Sequence, residues 1–232
     1  MEWLNKWFDR LYRTFIVDDR YKTLISGLEK TLIITLGALL IGVIIGTIIA
    51  IIKVFAADNK KLRPLDVLCN IYLTVIRGTP VVVQLLISFF IIFVWAKDGT
   101  WVATVTFGIN SGAYVAEVIR SGIMAIDAGQ MEAGRSLGLS KIQTMKEIIL
   151  PQAFKNVLPA IGNEMIALLK ETSVAGYVAV TDLTKAANQI KNTTYDSINP
   201  ILLTAIVYLA IVMLLTKLLS IMERRLRKSD KS

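Results

Sequence analysis

Long uncharged stretches alternate with short charged segments along this chain. Uncharged stretches cover residues 31–52, 78–96, 99–116 and 197–216. A helix that rises ~1.5 Å per residue needs about 20 residues to cross a hydrocarbon core of ~30 Å. Because a charged side chain in hydrocarbon is costly, this clustering of charges predicts an all-α membrane protein.

Five transmembrane helices are predicted in total. The second is interrupted by Arg77, Gly78, Thr79 and Pro80, and the fourth is weakly apolar because it contains Asn163 and Glu164. Proline removes a backbone donor, so the second element should break or kink at Pro80. The five predicted spans are 31–52, 68–95, 99–116, 151–169 and 197–216.

The first predicted span carries two glycines, Gly42 and Gly46, four residues apart. A G-x-x-x-G pair lets two helices approach closely. Glycine is common in membrane helices, so the pair by itself gives only weak support for a contact face.

Residues 1–20 predict an amphipathic helix ahead of the first span. Trp3, Trp7 and Phe8 recur at helical spacing, while Lys6 and Arg10 fall on the other face. Tryptophan, tyrosine and basic residues suit a helix that lies in the membrane interface. A helix that packs on a neighbouring subunit fits the same pattern, so both interpretations stay open.

The distribution of basic residues predicts the orientation. With the carboxyl terminus in the cytoplasm, fifteen Lys and Arg residues face inside and ten face outside, which agrees with the positive-inside rule. The amino terminus then lies outside, although residues 1–30 hold six of the outer basic residues. The predicted domains are an N-terminal helix at 1–20, a transmembrane domain at 21–222 and a basic cytoplasmic tail at 223–232.

The composition narrows the chemistry. The formal net charge is +8 and the chain has no histidine, so histidine metal sites and histidine-based triads are excluded. The single cysteine, Cys69, excludes an internal disulfide. No paired-carboxylate, zinc or nucleophile motif is evident, so we predict no catalytic residue, no metal site and no enzyme activity on this chain.

The middle of the chain contains a spaced motif. Glu132 and Ala133 precede a glycine at 138, and Ile148 to Pro151 close the pattern. Gly138 permits a turn that other residues resist, and Pro151 can start the next helix. We interpret 127–150 as two short helices, the second ending before Pro151, that dock on a cytoplasmic partner. The residues predicted to couple to that partner are Glu132, Ala133, Gly134, Arg135, Gly138, Leu139, Leu150 and Pro151.

This spacing resembles the EAA signature of permeases from ATP-binding-cassette importers, with Gly134 in place of the second alanine. The resemblance implies the type I importer permease fold, in which this loop is a coupling helix held in a cleft of the ATPase. It also implies the partners: a dimeric ABC ATPase that carries ATP and Mg, a second permease copy or a homologous permease, and an amino-acid-binding protein that is periplasmic or lipid-anchored. A bacterial inner membrane is expected.

Three further stretches, 75–80, 113–123 and 163–173, are similar to permeases for polar amino acids of the histidine, glutamine and arginine type. The resemblance covers about residues 20–222. It predicts alternating access, driven by ATP on another subunit. It does not decide which amino acid is carried, or whether the pathway is formed by one kind of permease or two.

Residues 129–136 nearly match a phosphate-binding loop, with Arg135 in the place of lysine. No apolar strand precedes them, so nucleotide binding here is not expected.

Glu164 is the first candidate for a substrate contact. It lies ~20 Å along a helix that starts near Pro151, and an ionisable group at that depth should face a polar cavity or a partner. Its carboxylate could pair with a cationic substrate side chain, or with Arg77 or Lys170 in a structural role. In permeases of this type, the resemblance implies that the matching position can contact the amino acid. Weaker candidates nearby are Asn163, Leu168 and Thr172.

Gly78 and Thr79 are the second candidate. A helix that restarts after Pro80 would direct free N–H groups at a substrate α-carboxylate, as in transporters with broken helices. Arg77 could equally lie at the cytoplasmic interface beside a simple proline kink. Glu117 and Arg120, three residues apart, are interpreted as a local ion pair. A secondary transporter or channel driven by an ion gradient is the alternative function, although no internal repeat favours it.

Overall fold

A computed structural model describes residues 2–57 and 59–228, and every regular element in those ranges is helical. Asp58 and the last four residues of the predicted basic tail lie outside the described residues. The α-helices are α1 (Glu2–Phe15), α2 (Tyr21–Ala56), α3 (Arg63–Gly78), α4 (Val81–Ile87), α5 (Gly99–Met124), α6 (Ala128–Ser136), α7 (Lys141–Thr144), α8 (Leu150–Glu171), α9 (Leu183–Thr194) and α10 (Asn199–Lys228).

Three helical segments are long and apolar enough to cross a membrane: Val17–Ala56, Gly99–Met124 and Asn199–Leu226. A fourth candidate is the broken pair Lys60–Gly78 and Val81–Ile92, whose halves are bent by 105°. The predicted interruption before Pro80 is therefore confirmed. Helix α8 is 22 residues long but does not meet the same test of hydropathy, so the count of five spans stays a prediction.

The N-terminal helix is shorter than the predicted 1–20. Helix α1 ends at Phe15, and a 3-10 turn at Val17–Asp19 follows before α2 begins. Asp18 and Asp19 have φ of 56° and 54°, a left-handed conformation that aspartate tolerates better than most residues. Arg20 donates to the Asp18 carboxylate at 2.5 Å and to the Arg13 carbonyl at 2.8 Å, and these bonds stabilise the break.

The described chain forms two compact units. The first comprises the chain up to Ala38, Val81–Phe107 and Ala167–Leu215. Its core brings the end of α1 and the start of α2 against α9. The buried members are Phe15, Leu24, Leu183, Ala186, Ala187 and Ile190.

Polar contacts fix α1 within this first unit. Thr14 donates to the Asp196 carboxylate at 2.8 Å, and the Asn199 side chain donates to the same oxygen at 2.6 Å. Nearer the start of α1 the side chains of Trp3 and Phe8 are 73% and 60% exposed, whereas Leu11 packs against the core of this unit. The contacts that dock the predicted amphipathic helix therefore come from its second half, at Leu11, Thr14 and Phe15, and both interpretations of its exposed apolar side chains stay open.

The second unit comprises Leu39–Pro80, Gly108–Ile166 and the chain from Thr216 onward. Here α2 packs on α5 at the two glycines. A Cβ atom at Gly42 would lie 2.8 Å from the Ser111 hydroxyl, and one at Gly46 would lie 2.7 Å from Cβ of Val115. The G-x-x-x-G pair therefore serves a contact inside this chain.

Candidate functional site

Residues 127–150, which are predicted to couple to a partner and are called here the coupling element, form a helix, a turn and a second helix. The Asp127 side chain caps α6 by accepting from the Gly129 N–H at 2.7 Å. Gly138 makes the turn with φ of +85°, which is strained for any residue with a side chain. Ser140 and Gln143 then form a capping box at the start of α7, which satisfies two otherwise unpaired backbone donors.

The second helix does not end before Pro151, so that part of the prediction was wrong. Helix α7 continues through a π-helix at Met145–Ile149 directly into α8. In this wider turn the Leu150 N–H bonds to the Met145 carbonyl. A proline ring clashes with the carbonyl four residues earlier in a regular α-helix. The π-helix relieves that clash and lets the helix pass through Pro151.

The coupling element presents apolar side chains and charges to its surroundings. Leu137 is 80% exposed and Ile142 is 66% exposed, and the charged Glu132 and Arg135 are also exposed. Arg135 donates to the Leu139 carbonyl at 2.9 Å, across the turn. Exposed apolar residues rimmed by polar ones mark interaction sites, so this element can dock on another protein.

Gly134, which replaces the second alanine of the motif, is buried. A Cβ atom there would lie 2.5 Å from the Thr144 methyl group. The glycine therefore lets α6 pack closely on α7. The other residues predicted to couple are placed as follows: Ala133, Gly138, Leu150 and Pro151 are exposed and Leu139 is half-buried.

Residues 129–136, which nearly match a phosphate-binding loop, lie within α6. Their first amide, that of Gly129, bonds to Asp127. A helix whose first donor is already capped does not form the glycine-rich cradle of a nucleotide site.

Glu164 lies half-buried on α8, and its Oε1 accepts a hydrogen bond from the Ser111 hydroxyl at 2.8 Å. Within the described residues Glu164 makes no ion pair, so the structural pairing with Arg77 or Lys170 is not observed. Ser111 is in turn held by the close approach of α2 at Gly42. The Glu164 carboxylate is therefore half-buried, with a hydroxyl donor but no cationic partner among the described residues.

Gly78 ends α3, and Thr79 is extended with φ −119° and ψ 143°. The Thr79 hydroxyl donates to the Val75 carbonyl at 2.9 Å. A Cβ atom at Gly78 would meet nothing within 4 Å, so this backbone is accessible, and its role in substrate binding stays a prediction. The Arg77 guanidinium lies 5.6 Å from the centre of the Tyr114 ring.

The three weaker candidates differ in accessibility. The Asn163 side chain is exposed and donates to the Pro159 carbonyl at 3.2 Å. Leu168 and Thr172 are fully buried, and the Thr172 hydroxyl donates to the Leu169 carbonyl. The structure does not bring these two side chains to an accessible surface, and their role in binding stays a prediction.

A family model for the "binding-protein-dependent transport system inner membrane component" matches residues 42–228. This chain belongs to that family. The match includes the whole coupling element and all the predicted substrate residues.

Curated relatives of this permease carry amino-acid names. It is 37% identical to the arginine transport system permease ArtQ of Bacillus subtilis, over 89% of this chain and 94% of that protein. It is 36% identical to a putative glutamine transport permease GlnP of Rickettsia conorii, with coverage of 97% and 98%. It is 35% identical to the L-cystine permease TcyB of Bacillus subtilis, with coverage of 87% and 85%. The protein is therefore the permease subunit of an amino acid ABC importer.

Solved structures support the fold. A crystal structure of an amino acid ABC transporter with histidines matches this permease with a TM-score of 0.82 and 40% identity, over 91% of this chain and 98% of the other. The methionine transporter MetNI, in inward-facing conformations, matches with a TM-score of 0.77 at 20% identity, over 89% and 97%. The all-helical fold therefore resembles the type I importer permease.

Sequence reasoning missed Ser111, the partner of Glu164. The two residues are 53 positions apart, and a serine in an apolar helix carries no signal of its own. The glycine pair at Gly42 and Gly46 predicts that some helix approaches closely there, but it does not identify Ser111 as the residue in contact. Within the described residues no cluster of three or more Cys, Asp or Glu side chains could hold a metal ion.

Proposed function

We propose that this permease translocates a polar, cationic amino acid, namely arginine, lysine or histidine, by alternating access. The observation that carries the proposal is the Glu164 carboxylate, which the Ser111 hydroxyl orients at 2.8 Å and which no cation of the described residues pairs with. A charge in such surroundings is costly unless it meets a partner. A guanidinium, ammonium or imidazolium group of the substrate would supply that partner.

The names of the relatives support two different substrate ranges. A relative named for arginine and a solved transporter with histidines favour a cationic side chain. Relatives named for glutamine and L-cystine favour a broader polar range. Glu164 is the reason to choose the cationic class.

The power for transport is proposed to come from a separate ABC ATPase dimer that binds ATP and Mg. The exposed Leu137 and Ile142 of the coupling element would insert into a cleft of that partner, and Glu132 and Arg135 would pair with charges at its rim. ATP binding would then draw two coupling elements together, one from this chain and one from a second permease copy or a homologous permease.

The remaining arrangement follows the distribution of charge. The coupling element and the carboxyl terminus would face the cytoplasm of a bacterial cell and the amino terminus would lie outside, because fifteen basic residues then lie inside against ten outside. An amino-acid-binding protein, periplasmic or lipid-anchored, would deliver substrate to the outer side, where residues 170–196 would contribute to its docking surface.

The test is uptake of an amino-acid panel by the complete transporter in proteoliposomes, for the parent protein and for Glu164→Gln. Loss of a charge-assisted contact should reduce arginine, lysine and histidine uptake about tenfold or more. Glutamine uptake should change much less. Glu29→Gln, which makes the same chemical change at an exposed site on α2, is the matched control.

Equal loss of cationic and neutral substrates in Glu164→Gln would refute the charge-pairing proposal. Retention of full arginine uptake would refute it as well. Site-directed labelling of Leu137→Cys from the outer side of intact cells would refute the proposed orientation.

A further inference from the structure

Helix α3 carries a polar stripe on an otherwise apolar surface. Asp66, Asn70, Thr74 and Arg77 follow one another at intervals of four, four and three residues, which places them on one face of a helix. At the N-terminal end of the stripe, the Lys53 ammonium group donates to the Asn70 side-chain oxygen at 2.6 Å and to the Asp66 carboxylate at 3.3 Å. Other side chains of α3 are apolar and exposed, such as Val67, Leu68, Ile71 and Val75.

The C-terminal part of this stripe borders a concavity of about 520 Å³, called here the α3 concavity. It is lined by Asn70, Leu73, Thr74, Arg77, Gly78, Tyr114 and Glu117. All of these residues belong to the second compact unit.

Two opposite charges line the α3 concavity without forming an ion pair with each other. Arg77 lies over the Tyr114 ring at 5.6 Å and forms no hydrogen bond or ion pair with any described residue. Glu117 uses Oε2 to accept from Arg120 at 3.0 Å, and in the described part of the chain its Oε1 accepts no hydrogen bond. A positive and a negative group therefore line the same cavity and each keeps unused bonding capacity.

The position of Arg77 makes this unused capacity significant. Arg77 lies 14 residues after Arg63, which is ~21 Å along α3 at 1.5 Å per residue. An arginine at such depth in a membrane helix faces a polar cavity or a partner. Its surroundings here are the Tyr114 ring and the electrostatic attraction of Glu117 in the same concavity, so its hydrogen-bond donors are left for a charged ligand.

We propose that the α3 concavity is a second binding site on the translocation pathway, for the α-amino and α-carboxylate groups that all amino-acid substrates share. Arg77 binds the α-carboxylate with its planar donors, and the free Oε1 of Glu117 accepts from the α-ammonium group. The open backbone at Gly78 gives the ligand room. This site rests on the assignment as an amino acid permease and not on the cationic preference proposed for Glu164.

The α3 concavity and Glu164 thereby have different tasks. Glu164 would bind the side chain of the substrate, whereas Arg77 and Glu117 would bind the α-carboxylate and α-ammonium groups that all amino acids share. A site of this kind holds any amino acid that has passed the side-chain filter. The two roles therefore make different predictions for substrate analogues.

The experiment uses Gly78→Cys in the complete complex in nanodiscs, without nucleotide. A Cβ atom at this position meets nothing within 4 Å, and the native Cys69 is buried, so the rate of thiol modification reports on the concavity. L-Arginine and L-glutamine should both slow modification. Their methyl esters and N-acetyl derivatives should need about tenfold higher concentration or more for the same protection. Val75→Cys, exposed on the apolar side of α3, is the matched control and should show no protection.

Second-site variants separate this inference from the proposed function. Arg77→Gln, added to Gly78→Cys, should raise the amino-acid concentration for half protection about tenfold or more, and Arg77→Lys should raise it less. Glu164→Gln should leave protection by L-glutamine intact. Equal protection by the esters, protection that survives both Arg77→Gln and Glu117→Gln, or equal protection of Val75→Cys would overturn the inference. The ester comparison needs no variant at Arg77, so it stays decisive if Arg77→Gln does not assemble.

Discussion

The contact at Gly46 predicts a specific loss of stability. A Cβ atom there would lie 2.7 Å from Cβ and Cγ1 of Val115 and 2.8 Å from the backbone nitrogen of Ala116. Val115 and Ala116 are buried, and neither a Cβ atom nor a backbone nitrogen can rotate away. Because ordinary contacts begin near 3.4 Å, the two helices would have to separate locally by about 0.7 Å for an alanine.

The energetic balance can be stated for two substitutions. Overpacking of a close contact costs ~1–3 kcal/mol, while replacement of glycine by alanine in a helix returns ~1 kcal/mol. Valine adds two more carbons and returns less helix stability. Gly46→Ala should therefore be mildly destabilising, and Gly46→Val should lose about 2 kcal/mol, which corresponds to a melting temperature lower by about 4–8 °C for a chain of this size.

The assay is thermal unfolding of the purified permease complex, followed by fluorescence-detected size exclusion. Gly78→Ala and Gly78→Val are the matched controls, because a Cβ atom at Gly78 meets nothing within 4 Å. They should shift the melting temperature by no more than about 2 °C, as surface substitutions do. An unchanged melting temperature in Gly46→Val, or the same loss in Gly78→Val, would refute the packing argument.

Three further predictions concern local structure. Burial would raise the pKa of Asp196, but hydrogen bonds from Asn199, Thr14 and backbone N–H groups outweigh burial and lower that pKa. The resulting stabilisation of the fold is complete above the ordinary pKa of ~3.9 and is lost as the pH falls below that value. Thermal unfolding of Asp196→Asn should therefore depend less on pH in that acid range than unfolding of the parent protein, and an unchanged pH profile would contradict this. Gly138→Ala places a side chain at φ of +85° and should lower the free energy of unfolding by ~1–2 kcal/mol, with fewer substrate molecules imported per ATP hydrolysed. Gly138→Asn should lose less stability, and equal losses in the two variants would argue against backbone strain. Ser140→Ala removes the capping box of α7 and should lower stability by ~1 kcal/mol, measured as the midpoint temperature of complex dissociation. Ser140→Asp should retain the cap, so equal midpoints for the two variants would contradict this prediction.

Local patterns in the sequence predicted several elements well. Charge spacing located the apolar helices, because the cost of a charge in hydrocarbon acts on every residue of a span. The interruption before Pro80 followed from the missing proline donor. The turn between the two helices of residues 127–150 was predicted from Gly138, since a left-handed turn favours a residue without a side chain.

Other predictions failed where local signals compete. The helix over 1–20 ended early, because two aspartates adopt left-handed conformations that helical periodicity does not register. The helix before Pro151 did not end, because a π-helix accommodated the proline. Both cases show that backbone geometry within one turn can override the pattern of side chains.

By itself, the sequence determined the class of this protein: apolar spans, a broken second span and an exposed coupling element, each set by interactions between residues close along the chain. Only the tertiary structure decided which distant groups meet. The bond from Ser111 to Glu164 joins residues 53 positions apart, and the opposite charges of Arg77 and Glu117 line one concavity although they lie on different helices. The physical reason is that a pairwise contact depends on how two helices pack, and that packing is fixed by small residues such as Gly42 and Gly46 whose partners no local pattern specifies.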